Sequence, residues 1–394
     1  MANGASAEVV VVGGGLIGCL AARALAGEGL RVRLLERGPE LGRQASTAAA
    51  GMLSPQMEAA EDLLVEAPQA GAGRAMLELC LSARDGWPTF VAELETETGL
   101  HVHLRTDGTL VVALTPVEAG RLERSAAVQG ARGLRAELLS PEEARRLEPA
   151  VRADVAAALL LPDDHQVDPL PLMEAVRRAV GATPGIEITT GIDAREILTE
   201  AGKVTGVGTD QGALLAPLVV LAAGAWSGRL AGLPRPLPVR PIKGQVAAVR
   251  PDRALIQRVV GGRGAYCVPR DDGRIVIGAT VEERGFDDRV SRVEVDALIA
   301  AADDVVEGVA RAAVVERWAG LRPGTPDSLP VLGPDPALEG VLYATGHYRN
   351  GILLAPLTAD CLADLAAGRP TTVDLAPFAP DRQALTAWTG VPGR

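Results

Sequence analysis

Three glycines close to the amino terminus have the spacing that binds a dinucleotide. They stand in the run Gly13, Gly14, Gly15, Leu16, Ile17, Gly18, which fits the pattern G-x-G-x-x-G. Glycine permits a tight turn, lets the backbone approach a pyrophosphate, and allows the next helix to pack on its strand. The N–H groups that begin this helix then face the anion. The pattern predicts that a nucleotide cofactor binds here through its phosphates.

An acidic residue follows at the distance that suits a ribose. Glu36 stands 18 residues after Gly18, at the end of a second strand-like run. A carboxylate there accepts hydrogen bonds from a ribose 2′-hydroxyl and repels a 2′-phosphate. NAD and FAD fit this geometry equally well. The alternative is a glycine-rich turn beside a surface glutamate.

A run of small residues helps to choose between the two cofactors. Residues 47–53 read Thr-Ala-Ala-Ala-Gly-Met-Leu, shortly after the second strand. A backbone that lies against a flat ring needs small side chains, since large ones would collide with the ring. The run therefore favours a flavin, and a flexible Ala/Gly linker is the alternative.

Arg322 and Tyr266 have side chains suited to binding a substrate. The planar guanidinium of arginine matches the two oxygens of a carboxylate and stays charged at any working pH. Arg322 lies between Leu321 and Pro323 in an apolar stretch, where burying an unpaired charge is costly, so a bound carboxylate or an internal salt bridge would offset that cost. Tyr266 begins a hairpin strand and is either a ligand or a core aromatic. No side chain is predicted to act as a catalytic base, and His347 is predicted to be structural.

The elements around these residues predict an α/β fold. Residues 8–12, 16–26 and 31–36 read as a βαβ unit, the first half of a doubly wound sheet. Apolar runs at 218–223 and 341–345 read as further buried strands of the same sheet.

Antiparallel strands are predicted between these segments, so the two domains are expected to be interleaved. A hairpin is predicted where residues 265–269 and 274–278 flank Asp271-Asp272-Gly273. The predicted cofactor domain comprises residues 1–85, 146–230 and 322–394. The predicted substrate domain comprises residues 86–145 and 231–321, and is mainly antiparallel β.

Composition excludes several classes of function. The formal net charge of −11 argues against a nucleic-acid partner, and the run Arg121, Arg124, Arg132, Arg135 is interpreted as a solvated helical face because acidic residues interrupt it. The four cysteines are far apart, which suits a reducing cytoplasm and predicts neither a disulfide framework nor a metal site. No apolar run is long enough for a membrane helix, and residues 1–8 do not read as a signal peptide.

Longer motifs resemble the glycine oxidases of bacterial thiamine biosynthesis, within the D-amino-acid oxidase superfamily. The amino-terminal run and residues 36–37 and 46–53 are similar to that superfamily, and four later segments narrow the likeness to the glycine oxidases: residues 266–270, 278–280, 318–327 and 346–356. The resemblance spans nearly the whole chain, although residues 60–160 match only loosely.

The resemblance implies a non-covalently bound FAD in a Rossmann-like domain of the glutathione-reductase type. By position, Arg322 would bind the substrate carboxylate, Tyr266 would donate a hydrogen bond to it, and Arg349 would line the same pocket. Beyond the glycine run, the residues that would hold FAD are Glu36, Arg37, Ala45, Ser46, Ala50, Gly51, Met52, Ile192, His347, Tyr348, Arg349, Asn350, Gly351, Ile352 and Leu353.

The implied reaction oxidises glycine with oxygen to an imine, releasing hydrogen peroxide. A thiazole synthase is an expected acceptor of the imine, and a homo-oligomer is compatible with the sequence. Two departures from the family pattern border the substrate pocket, Gly264 in place of a histidine and Val281 in place of a methionine. The alternatives are therefore a broader D-amino-acid oxidase or dehydrogenase, a sarcosine-type oxidase and, more remotely, a flavin-binding protein without catalysis.

Overall fold

The computed structural model describes residues 7–62 and 70–387, which form mixed sheets flanked by helices. The strands are β1 Val9–Val12, β2 Val32–Glu36, β3 Met52–Leu53, β4 Leu104–Arg105, β5 Thr109–Ala113, β6 Glu137–Leu139, β7 Ala157–Leu161, β8 His165–Val167, β9 Ile186–Thr190, β10 Ala194–Glu200, β11 Lys203–Thr209, β12 Gly212–Leu215, β13 Leu218–Leu221, β14 Arg240–Arg250, β15 Val259–Gly262, β16 Ala265–Pro269, β17 Ile275–Gly278, β18 Ala313–Gly324, β19 Val331–Pro334 and β20 Val341–Thr345. The helices are α1 Leu16–Gly27, α2 Ala45–Ala48, α3 Pro55–Asp62, α4 Ala70–Thr98, α5 Pro116–Gly130, α6 Pro141–Leu147, α7 Pro169–Ala182, α8 Arg292–Asp303, α9 Ala355–Ala366 and α10 Gln383–Thr386.

A six-stranded sheet carries the glycine turn. Its order is β19-β20-β13-β1-β2-β9, and all neighbouring strands are parallel except β19, which is antiparallel to β20. Every residue of β1 is buried, because helices cover one face of the sheet and strands β10 and β11 cover the other. The helices α1, α7 and α9 pack on one face. The predicted βαβ unit and the two further buried strands are confirmed.

A second, eight-stranded sheet contains the residues that are predicted to bind the substrate, Tyr266 and Arg322. Its order is β18-β14-β17-β16-β15-β5-β7-β6, and its pairs are antiparallel apart from β15 with β5. The predicted hairpin is present as β16 and β17, with Tyr266 opposite Gly278. The predicted fold class, a Rossmann-like sheet combined with a mainly antiparallel sheet, is confirmed.

The predicted domain boundaries stay a prediction, although two elements pack differently from the domain to which the sequence assigns them. Trp87 and Leu94 of α4 pack into the core of the six-stranded sheet, although residues 86–145 are predicted to belong to the other domain. Strand β7 pairs with β5 in the eight-stranded sheet, although residues 146–230 are predicted to belong to the cofactor domain. Apolar patterning shows that an element is buried, but the partner that covers it is set by contacts distant in sequence.

Local signals position several helix ends correctly. Ser140 begins α6 with a capping box, since its Oγ accepts from the Glu143 N–H while the Glu143 carboxylate accepts from the Ser140 N–H. Asp168 caps α7, as the sequence predicts. Across residues 7–62 and 70–387, no helix combines the length and the apolar character needed to cross a membrane. Residues 1–6, part of the segment predicted not to be a signal peptide, lie outside the described residues.

Candidate functional site

A cavity of about 1140 Å³ is lined by residues of both large sheets. At one end lie the glycine turn, Glu36 and the carboxyl ends of β13 and β20; at the other lie residues of β16, β17 and β18. The predicted site residues that line it are Gly13, Gly15, Leu16, Ile17, Glu36, Arg37, Ala45, Ser46, Ala50, Gly51, Met52, Ile192, Tyr266, Arg322, His347, Tyr348, Arg349, Gly351 and Ile352. Gly14, Gly18, Asn350 and Leu353 are also predicted site residues, but they are not part of this lining.

The glycine turn leaves no room for side chains at two positions. A Cβ on Gly13 would lie 2.4 Å from the carbonyl oxygen of Ala222, and the φ of Gly13 is +111°, which other residues rarely adopt. A Cβ on Gly18 would lie 1.8 Å from the carbonyl oxygen of Gly13. Helix α1 can therefore begin directly after β1, with its positive end at the cavity. This is the geometry needed by a pyrophosphate.

Glu36 is held by the backbone around it. Its Oε2 accepts a hydrogen bond from the Gly14 N–H at 2.9 Å, and its Oε1 accepts one from the Gly38 N–H at 2.6 Å. Each carboxylate oxygen has two lone pairs, so both can still accept from a ribose hydroxyl. Gly14 is not part of the cavity lining, and its N–H helps to fix this carboxylate.

The small-residue segment is anchored and is not a flexible linker. The Trp318 indole N–H donates to the Ala48 carbonyl at 3.0 Å, and the buried Arg270 guanidinium donates to the Ala50 carbonyl at 2.6 Å. Arg270 also donates to the Val167 carbonyl. These bonds hold residues 48–52 against the eight-stranded sheet, at the wall of the cavity, and so leave a flat, small-residue surface that a flavin ring fits. Sequence reasoning missed the positioning role of Arg270.

The cavity also contains an aromatic side chain that sequence reasoning missed. Trp226 lines the cavity just after β13, at the carboxyl end of a central strand where such folds bind nucleotides. The Arg37 guanidinium lies 4.3 Å from the centre of the Trp226 ring. The sequence offered one indication that Trp226 is a site residue, namely its position directly after a buried strand.

The loop after β20 contributes His347, which is fully buried. Its Nε2 lies 3.1 Å from the Thr358 hydroxyl oxygen. Burial lowers the pKa of His347 to about 3, so the imidazole is neutral at any working pH. A neutral, hydrogen-bonded imidazole fits the structural role that the sequence predicts.

Two glycines make space for the predicted substrate residues. A Cβ on Gly244 would lie 2.2 Å from Arg322 Nη1, and a Cβ on Gly278 would lie 2.2 Å from the Tyr266 hydroxyl oxygen. Arg322 Nη1 donates to the Thr280 carbonyl at 3.0 Å, which fixes the guanidinium. The Arg322 charge acts on the pKa of the Tyr266 hydroxyl, so the guanidinium and the phenol are near one another. The two side chains therefore converge on one point of the cavity wall.

Tyr266 is a phenol under working conditions. Burial raises the pKa of its hydroxyl, and the neighbouring Arg322 charge opposes that rise without cancelling it. A protonated hydroxyl can donate a hydrogen bond to a carboxylate. Arg349 also lines the cavity, with its guanidinium 5.2 Å from the centre of the Tyr348 ring.

Helix α3 brings residues to the cavity that sequence reasoning missed. Met57 and Glu58 line it, and the Glu58 charge acts on the pKa of Tyr266. The helix is anchored by buried Asp164, which accepts from the backbone N–H groups of Gln56 at 3.1 Å and Met57 at 2.9 Å. Burial raises the pKa of Asp164 to about 7. No local pattern in residues 55–58 indicated this contact.

All four arginines of the run are exposed, as expected for a solvated face, although two of them also line the cavity. Arg121 and Arg124 are exposed on α5 and line the mouth of the cavity, whereas Arg135 pairs with Asp163 at the surface. Helix α5 packs on β7, and this long-range contact turns one of its faces toward the cavity. Gly264 and Val281 also line the cavity, where the sequence predicted departures that affect substrate size.

No cysteine side chain is in position to bind a cofactor covalently. Cys19, Cys80, Cys267 and Cys361 are buried free thiols, and none of them lines the cavity as far as the structure describes the chain. Gly320 lines the cavity without a side chain. The arrangement fits a cofactor held by non-covalent contacts.

Comparisons with known proteins agree with this geometry. A family model described as FAD dependent oxidoreductase matches residues 8–365. The chain is 37% identical over 378 residues to a glycine oxidase of Pseudomonas aeruginosa, covering 95% of this chain and 99% of that protein. It is 35% identical to the bifunctional protein ThiO/ThiG of Synechocystis sp., of which it spans 54%. The crystal structure of glycine oxidase from Geobacillus kaustophilus has a TM-score of 0.87 at 35% identity, covering 96% of this chain and 99% of that one.

The resemblance inferred from the sequence is thereby confirmed. The family match extends over most of the chain, and the glycine turn, the Glu36 carboxylate and the small-residue segment fit a flavin nucleotide. The chain belongs to the FAD dependent oxidoreductase family, and its cofactor is FAD.

Proposed function

We propose that this protein is an FAD-dependent glycine oxidase that also accepts other small primary and secondary amino acids. The observation that carries the proposal is the convergence of Arg322 and Tyr266 in the cavity that contains the glycine turn. Among the side chains that the structure describes, no carboxylate forms an ion pair with Arg322, which argues against the internal salt bridge considered from the sequence. A bound substrate carboxylate would supply that partner. Relatives named glycine oxidase match almost the full chain.

The proposed cofactor contacts follow the cavity. The glycine turn and the start of α1 would bind the pyrophosphate, and Glu36 would accept from the ribose hydroxyls. Residues 48–52 and the loop from His347 to Leu353 would lie along the flavin ring. Gly14, Gly18, Asn350 and Leu353, which are not part of the cavity lining, would support these contacts from the second layer.

Arg322 is proposed to bind the substrate carboxylate through two charge-assisted hydrogen bonds. Tyr266 would donate a third, and Arg349 would line the same pocket. These contacts orient the α-carbon and the amine, and orientation is the main contribution that a protein makes to hydride transfer. When bound, FAD supplies the hydride acceptor and the route for electrons to oxygen. Glycine and oxygen then give iminoacetate and hydrogen peroxide, and water converts the imine to glyoxylate and ammonia.

No side chain is proposed to remove a proton from the α-carbon. If the amine enters the site neutral, its lone pair assists departure of the α-hydrogen with its electron pair. His347 is a poor base because burial lowers its pKa to about 3. The carboxylate of Glu58 is the remaining candidate among the cavity residues near Tyr266.

Anaerobic mixing with glycine tests both parts of this proposal. Glycine should bleach the flavin absorbance of the wild-type holoenzyme, and a flavin-binding protein without catalysis would stay yellow. Glu58→Gln should bleach within about tenfold of the wild-type rate, because losing a true general base costs about 10²–10⁴-fold. A loss of 100-fold or more, with the flavin still bound, would assign proton abstraction to Glu58.

A thiazole synthase is proposed as the acceptor of the imine. The support is that some relatives carry the name bifunctional protein ThiO/ThiG and that this chain spans about half of each. A fusion of that kind places the second activity on the same chain as the oxidase in those relatives.

A cytoplasmic location is proposed from the thiols. Cys19, Cys80, Cys267 and Cys361 are all buried and free. Free thiols persist in reducing compartments, whereas oxidising ones favour disulfides. A homo-oligomer remains compatible with this proposal.

A further inference from the structure

Two of the chain's four histidines lie together on the surface, away from the cofactor cavity. His101 and His103 follow the end of α4, and their ring centres are 4.3 Å apart. Asp271, in the turn between β16 and β17, completes a group whose ligand atoms all lie within 4.8 Å of one another. We propose that His101, His103 and Asp271 bind a divalent transition-metal ion, with Zn²⁺ as the ion best matched to the site.

The ligand chemistry supports a zinc-like ion. Two imidazoles and one carboxylate are borderline donors of the kind that Zn²⁺ takes, with water in the fourth position. Zinc–nitrogen and zinc–oxygen bonds of roughly 2.0–2.2 Å require the ligand atoms to close to roughly 3.5 Å. Only small rotations of exposed side chains are needed, since the side-chain exposure of His101, His103 and Asp271 is 67%, 36% and 43%.

A neighbouring carboxylate orients one of the imidazoles. Glu95 Oε1 lies 2.8 Å from His101 Nδ1, and it also accepts from the Val102 N–H at 2.7 Å, which fixes its position. A carboxylate on one ring nitrogen favours the tautomer that leaves Nε2 as the metal ligand. His103 Nδ1 and Asp271 Oδ2 are already 2.7 Å apart, on the same side of the group.

The backbone at His103 adopts an uncommon conformation. Its φ is +58°, in the left-handed region that residues with a side chain rarely adopt. The conformation turns the imidazole toward the β16–β17 turn. A competing cation is present, because Arg105 Nη1 lies 3.3 Å from Asp271 Oδ1. The ion would join the α4–β4 connection to the hairpin whose first strand carries Tyr266.

Zinc titration of the FAD-loaded protein, followed by calorimetry, tests the proposal. We expect one Zn²⁺ to bind per chain, with the affinity falling at least 10–100-fold in His101→Ala and in Asp271→Asn. Asp272→Asn is the matched control, since Asp272 is the adjacent carboxylate and pairs with Arg274 instead. Its zinc affinity should equal that of the wild type.

Thermal unfolding gives a second readout that does not depend on activity. Saturating Zn²⁺ should raise the midpoint of the wild type and of Asp272→Asn, but not that of His103→Ala, because an ion that binds only the folded state stabilises it. Binding that is equally tight in all four variants would place the ion elsewhere and overturn the proposal. Absence of binding at millimolar Zn²⁺ would also overturn it.

Discussion

Arg322→Ala should raise the KM for glycine by about 100-fold or more. The substitution removes charge-assisted hydrogen bonds worth about 3 kcal/mol, and each 1.4 kcal/mol changes an equilibrium constant tenfold. The KM of Arg322→Lys should lie between those of the wild type and Arg322→Ala, because an ammonium keeps the charge but loses the planar fork of the guanidinium. Steady-state rates of peroxide formation at varied glycine concentration give these KM values.

A control on the same strand separates substrate binding from damage to the sheet. Arg317 also lies on β18, but it pairs with Asp296 at the surface and does not line the cavity. Arg317→Ala should therefore keep its KM within about twofold, since surface ion pairs contribute little. An unchanged KM in Arg322→Ala, with FAD still bound, would place the substrate carboxylate elsewhere.

Gly18→Ala should abolish FAD binding in the purified protein. The added Cβ would lie 1.8 Å from the carbonyl oxygen of Gly13, and a backbone atom cannot rotate away as a side chain can. Helix α1 would have to move off β1, which carries away the N–H groups that face the pyrophosphate. Overpacking of this kind costs at least about 1–3 kcal/mol in stability. The absorbance ratio of flavin to protein measures the effect.

The matched control lies at the other end of the same helix. Gly27 is exposed, and a Cβ there would meet no atom within 4 Å. Gly27→Ala should bind FAD normally and be slightly more stable, because alanine is the better helix former by up to about 1 kcal/mol. If the Gly18→Ala protein binds FAD and is as stable as the wild type, the proposed role of the glycine turn is contradicted.

The cofactor end of the site was predictable because its signals are local. The glycine run, its strand and its helix fall within 30 residues, and Glu36 follows directly. The helix caps Ser140 and Asp168 were also predicted correctly, because a cap is indicated by only four or five consecutive residues. Each of these features is fixed by neighbours along the chain.

The substrate end depends on contacts across the chain, and there the sequence was less informative. Glu58 reaches the cavity only because buried Asp164, more than 100 residues away, anchors α3. Arg121 and Arg124 look like any solvated helix face until the packing of α5 is known. The anchoring of Ala50 by Arg270 spans 220 residues. Neither the hydrophobic periodicity nor the spacing of motifs in the sequence predicts such long-range contacts.

The substrate preference of the holoenzyme is the sharpest test of the proposed glycine oxidase activity. The measurement is kcat/KM for peroxide formation by the purified holoenzyme with glycine, sarcosine, D-alanine and D-proline. We expect glycine to be used at a rate comparable to or above those of sarcosine and D-alanine, although Gly264 and Val281, which depart from the family pattern, line the cavity. Activity with D-proline or bulky D-amino acids that exceeds the glycine value by orders of magnitude would contradict it, and would identify a broader D-amino-acid oxidase.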